Sequence, residues 1–241
     1  MITHFKFHKQ VSILAISVCA VLPAFAADVV TDAMQAAYGP YRVALFKTNS
    51  NSQAEAQLAM TQAQQSWGKL ATQFGSKPPA PYDRDTAFST SVADVSKVYA
   101  KATEQVMANQ LTAAHATLED ARDIMAQLRR RNQVIIYSDH MNAYHSEMEH
   151  VLDDGSKILA QPNGMQQLTA QVGALAYLSK KLSTEAPVNY SSNSEFVGLL
   201  KAVDKSVEDL QSALLAQNAS AVKEAMGKIK APYSKLFLKF G

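Results

Sequence analysis

The chain has 241 residues, 23 Lys and Arg against 21 Asp and Glu, 47% apolar residues, nine glycines and one cysteine. Lys6, Lys9 and Cys19 all fall in an N-terminal segment that reads as a cleavable leader, so the remaining chain is formally neutral and free of thiols. Neutrality removes the electrostatic argument for a nucleic-acid partner. The lack of thiols removes disulfides, thiolate metal sites, a cysteine nucleophile and a Cys-x-x-Cys-His haem attachment.

In chain order, Lys6 and Lys9 precede an apolar and small-residue run over 11–22, and Pro23-Ala24-Phe25-Ala26 closes it with an A-x-A pattern. This is the layout of a secretory signal peptide, residues 1–26, with cleavage expected before Ala27 and a periplasmic or secreted product. A run of this length is too short for a bilayer, which takes about 20 helical residues. Acylation of Cys19 is disfavoured because Val18 stands where a small residue is wanted. No later segment is long and apolar enough to span a membrane.

From residue 27 onward apolar residues recur at steps of three and four, the helical period. The pattern also repeats at an offset of about 108. Met60, Trp67, Leu70 and Phe74 fall on Leu168, Leu175, Leu178 and Leu182, and the loop residues Pro79 and Tyr82 fall on Pro187 and Tyr190. Phe88, Val92, Val95 and Tyr99 fall on Phe196, Leu200, Val203 and Val207, while Leu118 and Met125 fall on Met226 and Tyr233. The first segment matches one residue short, Met34, Tyr38, Tyr41 and Leu45 over Met141, His145, Met148 and Leu152. Four amphipathic stripes close a core when four helices pack together. The expected fold is therefore all-α, two tandem antiparallel four-helix bundles from an internal duplication, with residues 27–135 as the first bundle and 136–241 as the second.

Local signals agree with these boundaries. Proline- and polar-rich stretches at 75–84 and 184–193 read as loops between the second and third helices of each unit. Gly39-Pro40 should kink or restart the first helix. Arg129-Arg130-Arg131 reads as a helix C-terminus whose cations suit the dipole and solubility, and Ser138 or Asp139 as the next cap. The β-branched Val134-Ile135-Ile136 between them favours a short break. Trp67 reads as core, and Lys228, Lys230, Lys235 and Lys239 as the solvated face of the last helix.

Residues 217–241 carry an Asn-Ala turn, alternating small and apolar positions, and a tail of Tyr and Phe among lysines. This segment resembles the last helix of the small soluble periplasmic b-type cytochromes and their c-prime relatives, exported four-helix bundles of about this repeat length. In the b-type family a Met of the first helix and a His near the end of the last hold haem iron. Met34 and Met141 stand at the first position, but Arg129 and Phe237 mark regions without a His at the second. The resemblance thus implies a cytochrome-like scaffold whose haem site is lost, and haem-based electron transfer is the least favoured reading.

Four histidines follow the leader, and His140, His145 and His150 lie within eleven residues. At about 100° per residue Met141, His145, Met148 and Leu152 share the core face, with His145 in the place of Tyr38 between two thioethers. Thioether plus imidazole suits Cu(I). Glu147, His150 and Asp154 face outward and would better suit Zn, Fe or Cu(II), with His140 at the boundary. The first expectation is a metal buffer, carrier or sensor, copper before iron, with Met141, His145 and Met148 as ligands and His140 and His150 as auxiliaries. Against it, core Met is commonly gap filler and a core His is commonly satisfied by a neighbour. The second expectation is therefore a metal-free adaptor for another envelope protein. No nucleophile elbow, phosphate loop, zinc-protease motif or catalytic carboxylate pair is present, so no enzymatic role is expected. Oligomeric state is not legible.

Overall fold

The computed structural model describes residues 28–50 and 52–241; the expected signal peptide lies outside them. Those residues form an all-α fold. Helices α1 (Val29–Thr48), α2 (Gln53–Phe74), α3 (Phe88–Met107) and α4 (Leu111–Arg131) are followed by α5 (Tyr137–Leu159) and α6 (Gly164–Thr184). A one-turn α7 (Val188–Ser191), then α8 (Ser194–Leu215), α9 (Ala219–Met226) and α10 (Lys230–Phe240) complete the chain. No described helix is long and apolar enough to cross a membrane.

Helix α1 packs on α2 and α4, α2 on α3, and α3 on α4. In the later half α5 packs on α6, α6 on α8, α8 on α9 and α10, and α5 on both α9 and α10. The two sets touch through α1 and α10. Their cores are built from the residues the period selects: Met60, Trp67, Phe88, Val95 and Leu118 are buried, and so are Leu168, Leu175, Phe196, Val203 and Met226. Trp67 also donates its indole N–H to the Val92 carbonyl at 3.1 Å, so its one polar atom is satisfied inside the core.

Side chains fix several helix ends. Asp28 accepts from Thr31 N at 3.0 Å to open α1, and Asp139 accepts from Ile136 N at 3.1 Å to open α5. Asn193 accepts from Glu195 N and Phe196 N to open α8. These bonds occupy amide hydrogens that have no partner within a first turn. Asn193→Ala is accordingly expected to lower stability by about 1 kcal/mol in denaturant unfolding. At the other ends, Asn109, Gln133 and Gln217 take left-handed φ values of 56°, 58° and 53°, turning the chain after α3, α4 and α8.

Three features depart from the expectations above. Helix α1 runs through Gly39-Pro40 without interruption. Ala37, Tyr38 and Tyr41 around the proline are all buried, and that packing outweighs the amide bond that proline lacks, about 3 kcal/mol in a helix interior. The last helix of the second half is broken at 227–229, with Pro232 in the first turn of α10, where proline is tolerated. Arg129 is not a solvated dipole residue. It is 0% exposed, pairs through Nε and Nη2 with both carboxylate oxygens of Asp139, and donates Nη1 to the Met34 sulfur at 3.2 Å. The neighbouring Arg131 and Asn132 both reach Asp85, tying the end of α4 to the loop before α3.

Candidate functional site

The buried stripe of α5 is Met141, Tyr144, Met148 and Val151. His145 is displaced from it, because the helix wheel alone cannot see that α5 also faces α4 and α10. Its side chain, 14% exposed, stacks on Tyr233 with ring centroids 5.5 Å apart and points to Glu119 on α4. His145 therefore does not lie between two thioethers. Met141 stays in the core, where its carbonyl accepts from Tyr233 Oη at 3.0 Å. His150 is 62% exposed and lies 3.7 Å from Glu147 on the outward face. His140 lines a separate groove of about 640 Å³ with Arg42, Lys181 and Tyr190, and burial and then Lys181 lower its pKa.

Of the five residues the sequence singled out, the structure brings together His145 and Met148, and it adds His115. These three line a cavity of about 50 Å³ between the halves, walled further by Arg122 from α4 and by Lys230 and Tyr233 from α10. His115 Nδ1 lies 2.9 Å from the Leu45 carbonyl oxygen. A carbonyl only accepts, so this nitrogen carries the proton and Nε2 keeps its lone pair. Burial lowers the His115 pKa, which favours that neutral form. His145 Nε2 faces Glu119 Oε1 at 3.4 Å, and its Nδ1 is buried with no hydrogen-bond partner among the described residues, 4.0 Å from Glu149 Oε1. The bond from His145 is the largest of the influences that bring the Glu119 carboxyl down to about 2, with burial opposing and Arg122 assisting.

Each imidazole thus has one nitrogen oriented by an oxygen acceptor, leaving Nε2 of His115 and Nδ1 of His145 as the atoms that would face an ion. That is the outer-shell arrangement found around metal-bound histidines, where an acceptor fixes tautomer and ring angle. The fixed charges nearby pair off: Arg122 lies 3.5 Å from Glu119 and Lys230 3.0 Å from Glu149. Among the described residues no three His, Cys, Asp or Glu side chains come together so as to hold a metal ion. Any site here therefore depends on the thioether of Met148 as a third donor.

Sequence reasoning gave no site role to His115, Glu119, Arg122, Glu149 or Tyr233, and it read Lys230 as a solvated face whereas its side chain lines the cavity. One signal was available: His115 and Glu119 on α4, like His145 and Glu149 on α5, are each four apart and so share a helix face. Their juxtaposition across the junction is non-local and has no signature in either helix alone. No family model, no curated protein and no solved structure matches this chain.

Proposed function

We propose that the protein is an exported, soluble binder of a transition-metal ion, copper as Cu(I) before iron, acting as a buffer, carrier or sensor. The observation that carries this reading is the meeting of His115, His145 and Met148 at one small cavity, with each imidazole oriented by an oxygen acceptor. Two imidazoles and a thioether form a donor set suited to Cu(I). Iron favours carboxylate ligands beside imidazole, and Glu119 and Glu149 are held by Arg122 and Lys230. The leader expected at 1–26 supports action outside the cytoplasm, where a chain that has shed Cys19 with it must hold Cu(I) through Met and His.

Haem fits less well. The thioether of Met34, which the cytochrome resemblance would place on iron, receives the guanidinium of Arg129, and Met141 is wholly buried in the core.

The test is an anaerobic Cu(I) titration of the mature chain against a chromogenic chelator. One equivalent is expected to bind. Loss of an orienting partner typically costs about 10–100-fold in affinity, so Glu119→Gln should weaken binding within that range. His115→Ala, His145→Ala and Met148→Leu should weaken it further. Met141→Leu and His150→Ala should change it by less than about twofold, since neither side chain lines the cavity. Affinity unmoved by the first group would sink the reading, and capture of an envelope protein by the metal-free form would favour the adaptor instead.

A further inference from the structure

Lys230 is the first residue of α10 and sits immediately after the break at 227–229 that divides the last helix. A cation there opposes the helix dipole, whose positive end lies at the N-terminus. Its charge is directed elsewhere: Nζ is 3.0 Å from Glu149 Oε1, the side chain lines the junction cavity, and its field reaches His115. Arg122 holds Glu119 on α4, 3.5 Å away, and lines the same cavity.

We propose that Lys230 is a specificity-determining residue of the junction site, selecting a monovalent soft cation over divalent ions by ionic charge. The inference rests on the metal-binding reading above. A metal ion binds imidazole in its neutral form, so His115, His145 and Met148 bring it no charge, and the formal charges of Glu119, Glu149, Arg122 and Lys230 cancel. An entering ion therefore gains no net attraction from the walls to offset the loss of its hydration shell. That loss rises with the square of ionic charge, so a divalent ion suffers about four times the cost of a monovalent ion of equal size. Repulsion by the ammonium of Lys230 is linear in ionic charge, twofold larger for a divalent ion. Lys230 also occupies Glu149, the carboxylate nearest His145 Nδ1 that a harder ion would recruit.

Linearity in charge supplies the test. Removing one fixed cation should raise the affinity for a divalent ion by the square of the factor by which it raises that for a monovalent ion. Ag(I), soft, monovalent and stable in air, serves with Zn(II) as the probe pair. Both are titrated by calorimetry, with chelator competition, into the mature chain, Lys230→Met and Lys230→Arg. For Lys230→Met the expected rise is about fivefold for Ag(I) and about 25-fold or more for Zn(II). Lys230→Arg keeps the charge and should leave both within about twofold. Equal factors for the two ions, or a fall in both, would overturn the selective role while leaving the site intact. A wild-type chain that binds neither Ag(I) nor Cu(I) would overturn the site and the inference together.

Discussion

Asp139→Asn is expected to lower the unfolding free energy by about 3 kcal/mol, at the lower end of the cost of breaking a buried ion pair from one side. Arg129 is fully buried, and among the described residues its guanidinium hydrogen-bonds to Asp139 and the Met34 sulfur. Removing the carboxylate charge strands a cation where water cannot reach it. Asn rather than Ala is the informative change, because an amide oxygen can still accept from Ile136 N and preserve the start of α5. The pair joins the last turn of α4 to the first turn of α5, so its loss should also loosen the halves against each other. In a domain of typical stability, about 5–15 kcal/mol, this is a large fraction of the total. Adding Arg129→Met should recover much of the loss, since an apolar side chain leaves no uncompensated charge. Urea unfolding of the two variants decides the matter: a loss below about 1 kcal/mol for Asp139→Asn would show that the guanidinium finds water or another partner.

Helices were legible because burial imposes a period that survives sequence change. Met60, Trp67, Phe88 and Leu118 could be read as core from spacing alone, and all four are buried. What the period could not convey is which neighbours a helix has. Helix α5 is flanked on one side by its own half and on another by α4, so its inward face is wider than one stripe, and His145 belongs to the second contact. Arg129 shows the same limit. A run of three arginines reads as surface, and only the turn formed by 132–136 brings Asp139 back against the first of them. Pro40 shows the reverse case, a strong local signal overruled by the packing of Tyr38 and Tyr41. The junction cavity was half legible for a related reason: the histidine cluster on α5 supplies one of its walls, whereas His115, thirty residues earlier, joins only through the tertiary fold.

Above pH 10 the protein is expected to unfold abruptly. Tyr38, Tyr41, Tyr82, Tyr99, Tyr137, Tyr144 and Tyr233 are buried, and burial raises the pKa of each phenol, to about 12 for Tyr82 and further for Tyr41 and Tyr233. None is placed to lose its proton in the fold. Tyr41, Tyr137 and Tyr233 donate to the carbonyls of Leu118, Leu182 and Met141, which cannot take a proton at this pH, and the hydroxyls of Tyr99 and Tyr144 have no partner among the described residues. In the unfolded chain these groups ionise near pH 10. Between that value and their folded values the native state binds more protons than the unfolded state, so stability is complete below about pH 10 and falls as pH rises. Each phenol contributes about 1.4 kcal/mol of loss per pH unit in this window. The six other than Tyr38, whose folded values are the furthest raised, together approach 8 kcal/mol by about pH 11, comparable with the whole stability of a domain. Helical circular dichroism and absorbance at 295 nm, followed in parallel, should therefore change together and steeply between about pH 10 and 11.5. A gradual phenolate titration centred near pH 10 with the helices intact would mean that the aromatic core opens to hydroxide without unfolding, and would contradict the packing described for α1, α3 and α10.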